Sequence, residues 1–491
     1  MKHLFTLLLL IPFSNPSLWG QFNQIGAQLD GNSPNDNFGW AVAMDQSGKT
    51  IAVGAPLFDN DWGQVRVYFE FGGIWTQVGN DIDGTEIGHQ FGFSLALSAD
   101  GKTLALGGLS GNPSTLGGHA RVYRLTAGQW VQLGNTIAGE VSGDQFGFSL
   151  DLSATGNRLI VGGRNNNGNG NNSGHVRVFE FQNNDWVQLG DDIDGDMVDD
   201  RLGTGVSINA DGTIIAASTP LHSSGGSSAG QVKVWQWQND NWVQLGSDIL
   251  GMGPGETFGS MVALSEDGLS FVSSAPAHDH GNGFGSVRVY QFDNGSWTQV
   301  GADMRASSTS EAFGTAVTIS GNGNRVAVGT QSADDVAMSS GRVNQFELIN
   351  GTWTELYSPI TGQAQFDNLG KSVALNHNGS RVAIGANLAG GTQGYTSVYE
   401  DSQMPVSIAS LRERLGLVIE QDIQAGTLVL RFAERQTEVS ATLFDIQGRQ
   451  VGAQSASFTE SIKLDYSFPA GVYLLHIQTP EGVATQKIIL L

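Results

Sequence analysis

From residue 22 to about 400 the chain is written in short runs of alternating large and small side chains, with no stretch of helical period. The run Phe91-Gly92-Phe93-Ser94-Leu95-Ala96-Leu97-Ser98 is followed by the turn signal Ala99-Asp100-Gly101, since Asp tolerates and Gly supplies positive φ. A second run, Thr103 to Gly108, a third, Gly118 to Tyr123, and a fourth, Trp130 to Gly134, complete one unit. The unit recurs at a period of about 55 residues. Its start reads Phe38-Gly39, Phe91-Gly92, Phe146-Gly147, Leu202-Gly203, Phe258-Gly259, Phe313-Gly314 and Leu369-Gly370. Four short strands per unit, repeated radially, predict an all-β chain: a seven-bladed β-propeller of four-stranded blades.

The ends of the repeat predict how the ring closes. The seventh copy, from Leu369 to about Tyr399, lacks its fourth strand, and Phe22 to Gly31 aligns without a gap on Trp75 to Gly84. The N-terminal strand is expected to fill that place and hide both sheet edges. The period stops near residue 401. Four segments are expected: a signal peptide at 1–20, the propeller at 21–400, a linker at 401–414 and a small C-terminal β-sandwich at 415–491. The last holds the strand-like runs Thr427 to Phe432, Ala441 to Asp445 and Val472 to Ile477.

The pairing of Phe-Gly in the first strand with Gly54-Ala55-Pro56 in the second resembles the FG-GAP repeat of integrin α-subunit propellers; Ser274-Ala275-Pro276 and Ser218-Thr219-Pro220 match in part. That family often carries a calcium loop between these strands. Here the place holds turns such as Ser98-Ala99-Asp100-Gly101, with too few carboxylates for a cage of six to eight oxygens. The C-terminal segment resembles the sorting domain of type IX secretion substrates in Gram-negative bacteria. The residues that carry this are Leu443 to Val451 with Gly448 and Arg449, then Pro469-Ala470-Gly471-Val472-Tyr473, then Lys487 to Leu491. The resemblance implies handling by the type IX machinery and a protein secreted or anchored at the outer cell surface.

Composition narrows the partners. The 491 residues carry a formal charge of −23 and no Cys. No basic stripe exists to neutralise phosphates, so nucleic acid is not an expected partner, nor is an anionic membrane surface. The absence of Cys excludes disulfides and thiol chemistry. Met1-Lys2-His3 before the apolar run Leu4 to Ile11 reads as a secretory signal, too short to span a bilayer, and no later segment reads as a transmembrane helix.

Candidate chemistry lies in the loops. The 2–3 and 4–1 connections vary, whereas the 1–2 and 3–4 turns are short; variable loops on a rigid scaffold are the expected ligand face. An acid stands two residues before most Phe/Leu-Gly pairs: Asp36, Asp144, Asp200, Glu256, Glu311 and Asp367, with His89 in the second unit. These could form a collar for a cation or a basic ligand at the channel mouth, or accept backbone N–H groups at the turn. Strand-three bases (Arg66, Arg121, Arg177, Lys233, Arg288) could line a basic groove but are expected to pair with acids or carbonyls between blades, and Trp75, Trp130, Trp186, Trp242, Trp297 and Trp353 could stack sugars but are expected to pack between blades. Asp192, Asp194, Asp196, Asp199 and Asp200 approximate the spacing of a calcium loop without its Gly at position six, or form a solvated acidic loop. His278 and His280 could supply two metal nitrogens. No catalytic triad, phosphate loop or paired catalytic carboxylate stands out. The expectation is a non-enzymatic binding or adhesion module for an extracellular protein or glycan. The alternatives are a polysaccharide-active enzyme, a sugar-binding accessory, or a structural surface-layer component.

Overall fold

A computed structural model describes residues 22–85, 88–109, 117–277, 285–305, 311–401, 417–422, 427–444, 450–465, 471–479 and 482–490. Met1 to Gln21, and with them the expected signal peptide, lie outside the described residues, as do most of the expected linker and His278 and His280. The chain divides into two compact units, one of them Phe22–Glu400 and the other containing Asp401–Leu491.

Among the described residues, the first unit forms seven antiparallel sheets, one per sequence repeat. In the first sheet, Ala41–Met44, Thr50–Ala55, Gln64–Phe71 and Ile74–Gln77 pair in chain order, and Ile82–Asp83 pairs with the far end of the third strand. The innermost strands neighbour one another in a cycle: Ala41–Met44, Ser94–Leu97, Phe146–Leu152, Val206–Ile208, Val262–Leu264, Ala316–Ile319, Leu369–Leu375 and back to Ala41–Met44. Phe22–Gln24 and Leu29–Asp30 pair with Tyr395–Asp401 of the seventh sheet, in the register Leu29 with Thr396 and Asp30 with Tyr395.

What joins one sheet to the next is largely backbone. Each Phe/Leu-Gly glycine has positive φ, from +84° at Gly92 to +94° at Gly314, and the preceding Phe or Leu is buried. That turn brings the glycine against the second strand of the preceding sheet. A Cβ on Gly54 would lie 2.2 Å from the Gly92 carbonyl oxygen, one on Gly162 2.3 Å from that of Gly203, and one on Gly385 2.0 Å from that of Gly39. In the fourth and fifth sheets Ser218 and Ser274 stand at this place against Gly259 and Gly314. Further out, the indole of each repeated tryptophan donates to a carbonyl of the preceding sheet's outer edge: Trp75 to Ile25, Trp130 to Val78, Trp186 to Leu133, Trp242 to Leu189, Trp297 to Leu245 and Trp353 to Val300, at 2.7–3.0 Å. Phe22 takes the tryptophan's place in the seventh sheet and packs edge-on against Tyr357.

The 1–2 turns are stapled by their own first side chain. Asp45 accepts from the Thr50 N–H, Ser98 from Thr103, Asn209 from Ile214 and Asn376 from Arg381. These turns also bond to one another around the ring, Ala99 N–H to Ala154, Ala154 to Ala210 and Ala210 to Glu266.

In the second unit, five strands join in one antiparallel sheet: Val418–Asp422, Thr427–Phe444, Gln450–Asp465, Gly471–Thr479 and Gly482–Leu490. The runs expected as two strands near 427 and 441 form one long strand, because no Gly, Pro, Asn or Asp interrupts residues 433–440. Its register slips between Arg431 and Gln436, and the buried positions change parity there, from Leu428 and Leu430 to Val439, Ala441 and Leu443. The slip lets both halves of one strand feed a single core.

The inter-sheet glycines generate a stability prediction. Gly385→Val places a branched side chain against the Gly39 carbonyl and should cost about 3 kcal/mol or more. Gly253→Ala, with open space around its Cβ position, should stay within about 0.5 kcal/mol. Urea unfolding of the two variants against the parent checks this.

Candidate functional site

The innermost strands enclose a channel with a cavity at each end. The upper cavity, about 270 Å³, lies at the end where these strands begin, the end reached by the 2–3 and 4–1 loops. Its rim is made by the residue that follows each Phe/Leu-Gly, or its neighbour: Trp40, Phe93 and Phe148 on one side, then Thr204, Met261, Thr315 and Lys371. The positive-φ glycine reverses the chain at that point, so the next side chain turns toward the axis. Trp40 and Phe93 have ring centroids 5.3 Å apart, as do Phe93 and Phe148, forming a continuous aromatic arc.

Cations border the arc. The Lys371 ammonium lies 3.9 Å from the centroid of the Trp40 ring, and the Arg164 guanidinium 3.7 Å from that of Phe148. Burial lowers the pKa of Lys371. Burial, with the nearby positive charge of Arg201, lowers that of Arg164 to about 10. Arg164 donates to the Gln145 side chain at 2.6 Å, a neutral partner. Among the described residues neither Lys371, Arg164 nor Arg201 has a carboxylate partner, in a chain with a formal charge of −23. Sequence reading missed this cluster. For Trp40, Phe93, Phe148 and Lys371 the signal was the position after the Phe/Leu-Gly pair, which the repeat leaves free to vary; Arg164 and Arg201 stand at other positions and carry no such signal.

The lower cavity, about 160 Å³, is lined by the 1–2 turns. There Glu266 reaches over Gly321 to His377, 2.7 Å from its Nδ1, and accepts from the Gln46 side chain at 3.2 Å. Between the two cavities Asp151 bridges two sheets, accepting from the Ser207 hydroxyl at 2.9 Å and the Ile208 N–H at 3.0 Å.

The six acids expected at the channel mouth are buried, and none lines either cavity. Most hold the backbone of the loop that precedes them. Asp36 accepts from Ser33 N–H, Asp144 from Glu140 and Val141, Asp200 from Met197, Glu256 from Met252 and Gly253, and Asp367 from Gln363 and Ala364. Glu311 pairs instead with Arg342. His89, in the second repeat, packs against His119 with ring centroids 4.9 Å apart. Four of the strand-three bases stack on the phenylalanine of their own sheet, Arg66 over Phe38 at 4.1 Å, Arg121 over Phe91 at 5.2 Å, Arg177 over Phe146 at 5.5 Å and Arg288 over Phe258 at 5.5 Å, whereas Lys233, whose sheet has Leu202 at that place, pairs with Asp196. Arg288 also pairs with Glu256 at 2.5 Å and Asp303 at 3.2 Å.

The acidic run does not converge on one cage. Asp192 sits beside His175, Arg177 and Gln188. The pKa of Asp194 is raised, mainly by burial. Asp196 pairs with Lys233, Asp199 accepts from Asn172, and Asp200 faces His222. Strand alternation across Ile193–Asp194 and the turn that follows separate the five carboxylates: Asp192 joins the cluster Glu140–His175–Asp192, Asp196 and Asp200 join the neighbouring cluster Asp196–Asp200–His222, and Asp194 and Asp199 belong to neither. Of the sorting residues, Gly448, Arg449, Pro469 and Ala470 lie outside the described residues; Gly471 and Lys487 lie on strands, and Tyr473 is buried.

Burial pushes the Asp151 carboxyl up to about 6. The folded protein therefore holds this proton more tightly than the unfolded chain does. The stability it lends is full below about pH 4 and is lost as pH rises through 6, by about 3 kcal/mol. Asp151→Asn should accordingly cost more at pH 4 than at pH 7.5, read from denaturant unfolding of both proteins at the two pH values.

Comparison with known proteins agrees with this architecture. The model of the FG-GAP repeat matches residues 19–68, and that of the secretion system C-terminal sorting domain matches residues 424–491. No curated protein matches the sequence significantly. Among solved structures, a candidate 6-phosphogluconolactonase from Bacteroides uniformis is 10% identical over 85% of this chain and 97% of its own, with a TM-score of 0.50. The periplasmic gluconolactonase of Pseudomonas aeruginosa is 16% identical over 66% of this chain and 85% of its own, with a TM-score of 0.47. Such likeness concerns the fold alone. Among the described residues no helix is long and apolar enough to cross a membrane. The chain is an all-β, propeller-like protein that carries an FG-GAP repeat and a type IX sorting tail, and it is secreted and attached at the outer surface of Bacteroidetes-type Gram-negative cells.

Proposed function

We propose that the protein is a surface-displayed binding module, not an enzyme, and that its upper cavity takes an anionic glycan. In this reading the seven sheets are the blades of a closed propeller, zipped by residues 22–30. The C-terminal unit folds over at residues 431–436 into a small sandwich that the type IX machinery handles. The observation that carries the ligand class is the pairing of an aromatic arc, Trp40–Phe93–Phe148, with three cations that lack carboxylate partners. Sugar rings present apolar C–H faces that pack on aromatic rings. A uronate or sulfate group would supply the counter-charge that Lys371, Arg164 and Arg201 lack. The described residues lining this cavity include no Asp, Glu or His, which favours retention of a ligand over general acid–base cleavage.

Affinity electrophoresis of the full chain through gels of acidic and neutral polysaccharides tests this. Retardation by the acidic polymers, weakened by salt, is expected. Trp40→Ala and Lys371→Ala should each weaken it about tenfold or more, equivalent to about 1.4 kcal/mol. Absence of retardation by every acidic polymer, or retardation that both substitutions leave intact, overturns the proposal.

A further inference from the structure

The third sheet carries a second site, built differently from the cavity and independent of it. His175 opens the strand His175–Gln182, is fully buried, and stands edge-on to Phe146. Its Nε2 packs on Gly163, where a Cβ would come within 2.6 Å. Neither ring nitrogen has a hydrogen-bond partner among the described residues. Nδ1 faces Asp192, but the nearest oxygen, Oδ2, is 3.5 Å away. That is long for a hydrogen bond. It is instead about the separation of two ligands that share one tetrahedral zinc, each about 2.0–2.1 Å from the ion.

The neighbours orient the oxygens for this. Asp192 Oδ1 accepts from the Gln188 side chain at 2.6 Å and faces Arg177 Nε at 3.5 Å, which leaves Oδ2 turned to His175. Glu140 brings a second carboxylate, with one ligand atom of each of Glu140, His175 and Asp192 within 4.8 Å of the others. The Asn166 side chain donates to Glu140 Oε2 at 3.2 Å. Such outer partners fix ligand orientation in metal sites.

The other repeats show that this arrangement is not a rule of the fold. Gln64 and Gln231 stand where His175 stands, and each donates a hydrogen bond of 2.9 Å to a carboxylate, Asp83 and Asp248. His119 at the same place faces His89. In the adjacent cluster, His222 is satisfied on both nitrogens, by Asp200 at 3.0 Å and Ser224 at 2.7 Å, and Asp196 is taken by Lys233. The third repeat alone among these sets a buried, unpartnered imidazole between two carboxylates.

We propose that Glu140, His175 and Asp192 bind a divalent transition-metal ion, zinc by preference. One nitrogen and few oxygens suit zinc and poorly suit calcium, which takes six to eight oxygens.

The full chain, stripped of metal with chelator and dialysed, is titrated with zinc chloride by calorimetry, and its thermal unfolding is followed with and without zinc. One zinc per chain and a raised melting temperature are expected, with no response to equal calcium. His175→Gln, a side chain the fold already accepts at Gln64 and Gln231, and Asp192→Asn should each weaken binding about tenfold or more, while Asp196→Asn leaves it unchanged. Cobalt in place of zinc should give the intense visible bands of a tetrahedral site, lost in His175→Gln. No stoichiometric zinc uptake by the parent protein overturns the proposal. So does uptake unchanged in both His175→Gln and Asp192→Asn, or abolished by Asp196→Asn.

Discussion

The propeller-like unit depends on one contact repeated around the ring: a glycine in a left-handed turn pressed against the backbone of the preceding sheet. Its Cα stands where no side chain fits, with carbonyl oxygens 2.0–2.3 Å from the Cβ positions of the facing glycines. This explains why Phe-Gly and Gly-Ala-Pro travel together as a motif. The Gly of Phe91-Gly92 and the Gly of Gly54-Ala55-Pro56 are two sides of one seam. The phenylalanine is buried by the same turn, and in several repeats it gives a strand-three arginine a ring to stack on. Where serine replaces the strand-two glycine, at Ser218 and Ser274, the facing approach is looser, with Cβ positions 2.9 Å from the serine Cβ.

The fold was legible because its determinants are local and repeated. Alternation, turn residues and a fixed period are all properties of neighbouring positions, and Trp75 through Trp353 announce the packing of each sheet on the next. The site was much less legible. Its aromatic arc comes from three different repeats, and its residues fill the position the repeat does not constrain. Lys371 and Trp40 touch only because the last inner strand lies beside the first. The acids, by contrast, were conspicuous in sequence because they obey the repeat, and they obey it because they hold turns. The third-sheet histidine illustrates the same point from another side. At its position glutamine, histidine, serine, arginine and tyrosine all occur, and only the partners brought in from other loops distinguish His175 from His119.

Charge is divided unevenly over this molecule. An excess of 23 negative charges keeps the surface self-repelling and soluble, while Lys371, Arg164 and Arg201 gather at one end of the channel. Under the proposed anionic-glycan reading, such a local reversal would focus anions at the cavity while the surrounding acidity rejects them elsewhere, so that orientation of the ligand is selected before contact.

The pairing of Leu29 with Thr396 and of Asp30 with Tyr395 joins positions at opposite ends of the repeat array. Loop-closure entropy and order of synthesis both make this the last seam available to a growing chain. Every earlier sheet can stack on its predecessor as it emerges, but the first strand waits for the last. A chain released or cut before residue 395 keeps two unpaired edges, open to the strands of any neighbour. Completion of the unit is thus reported by a single event, the meeting of its two ends.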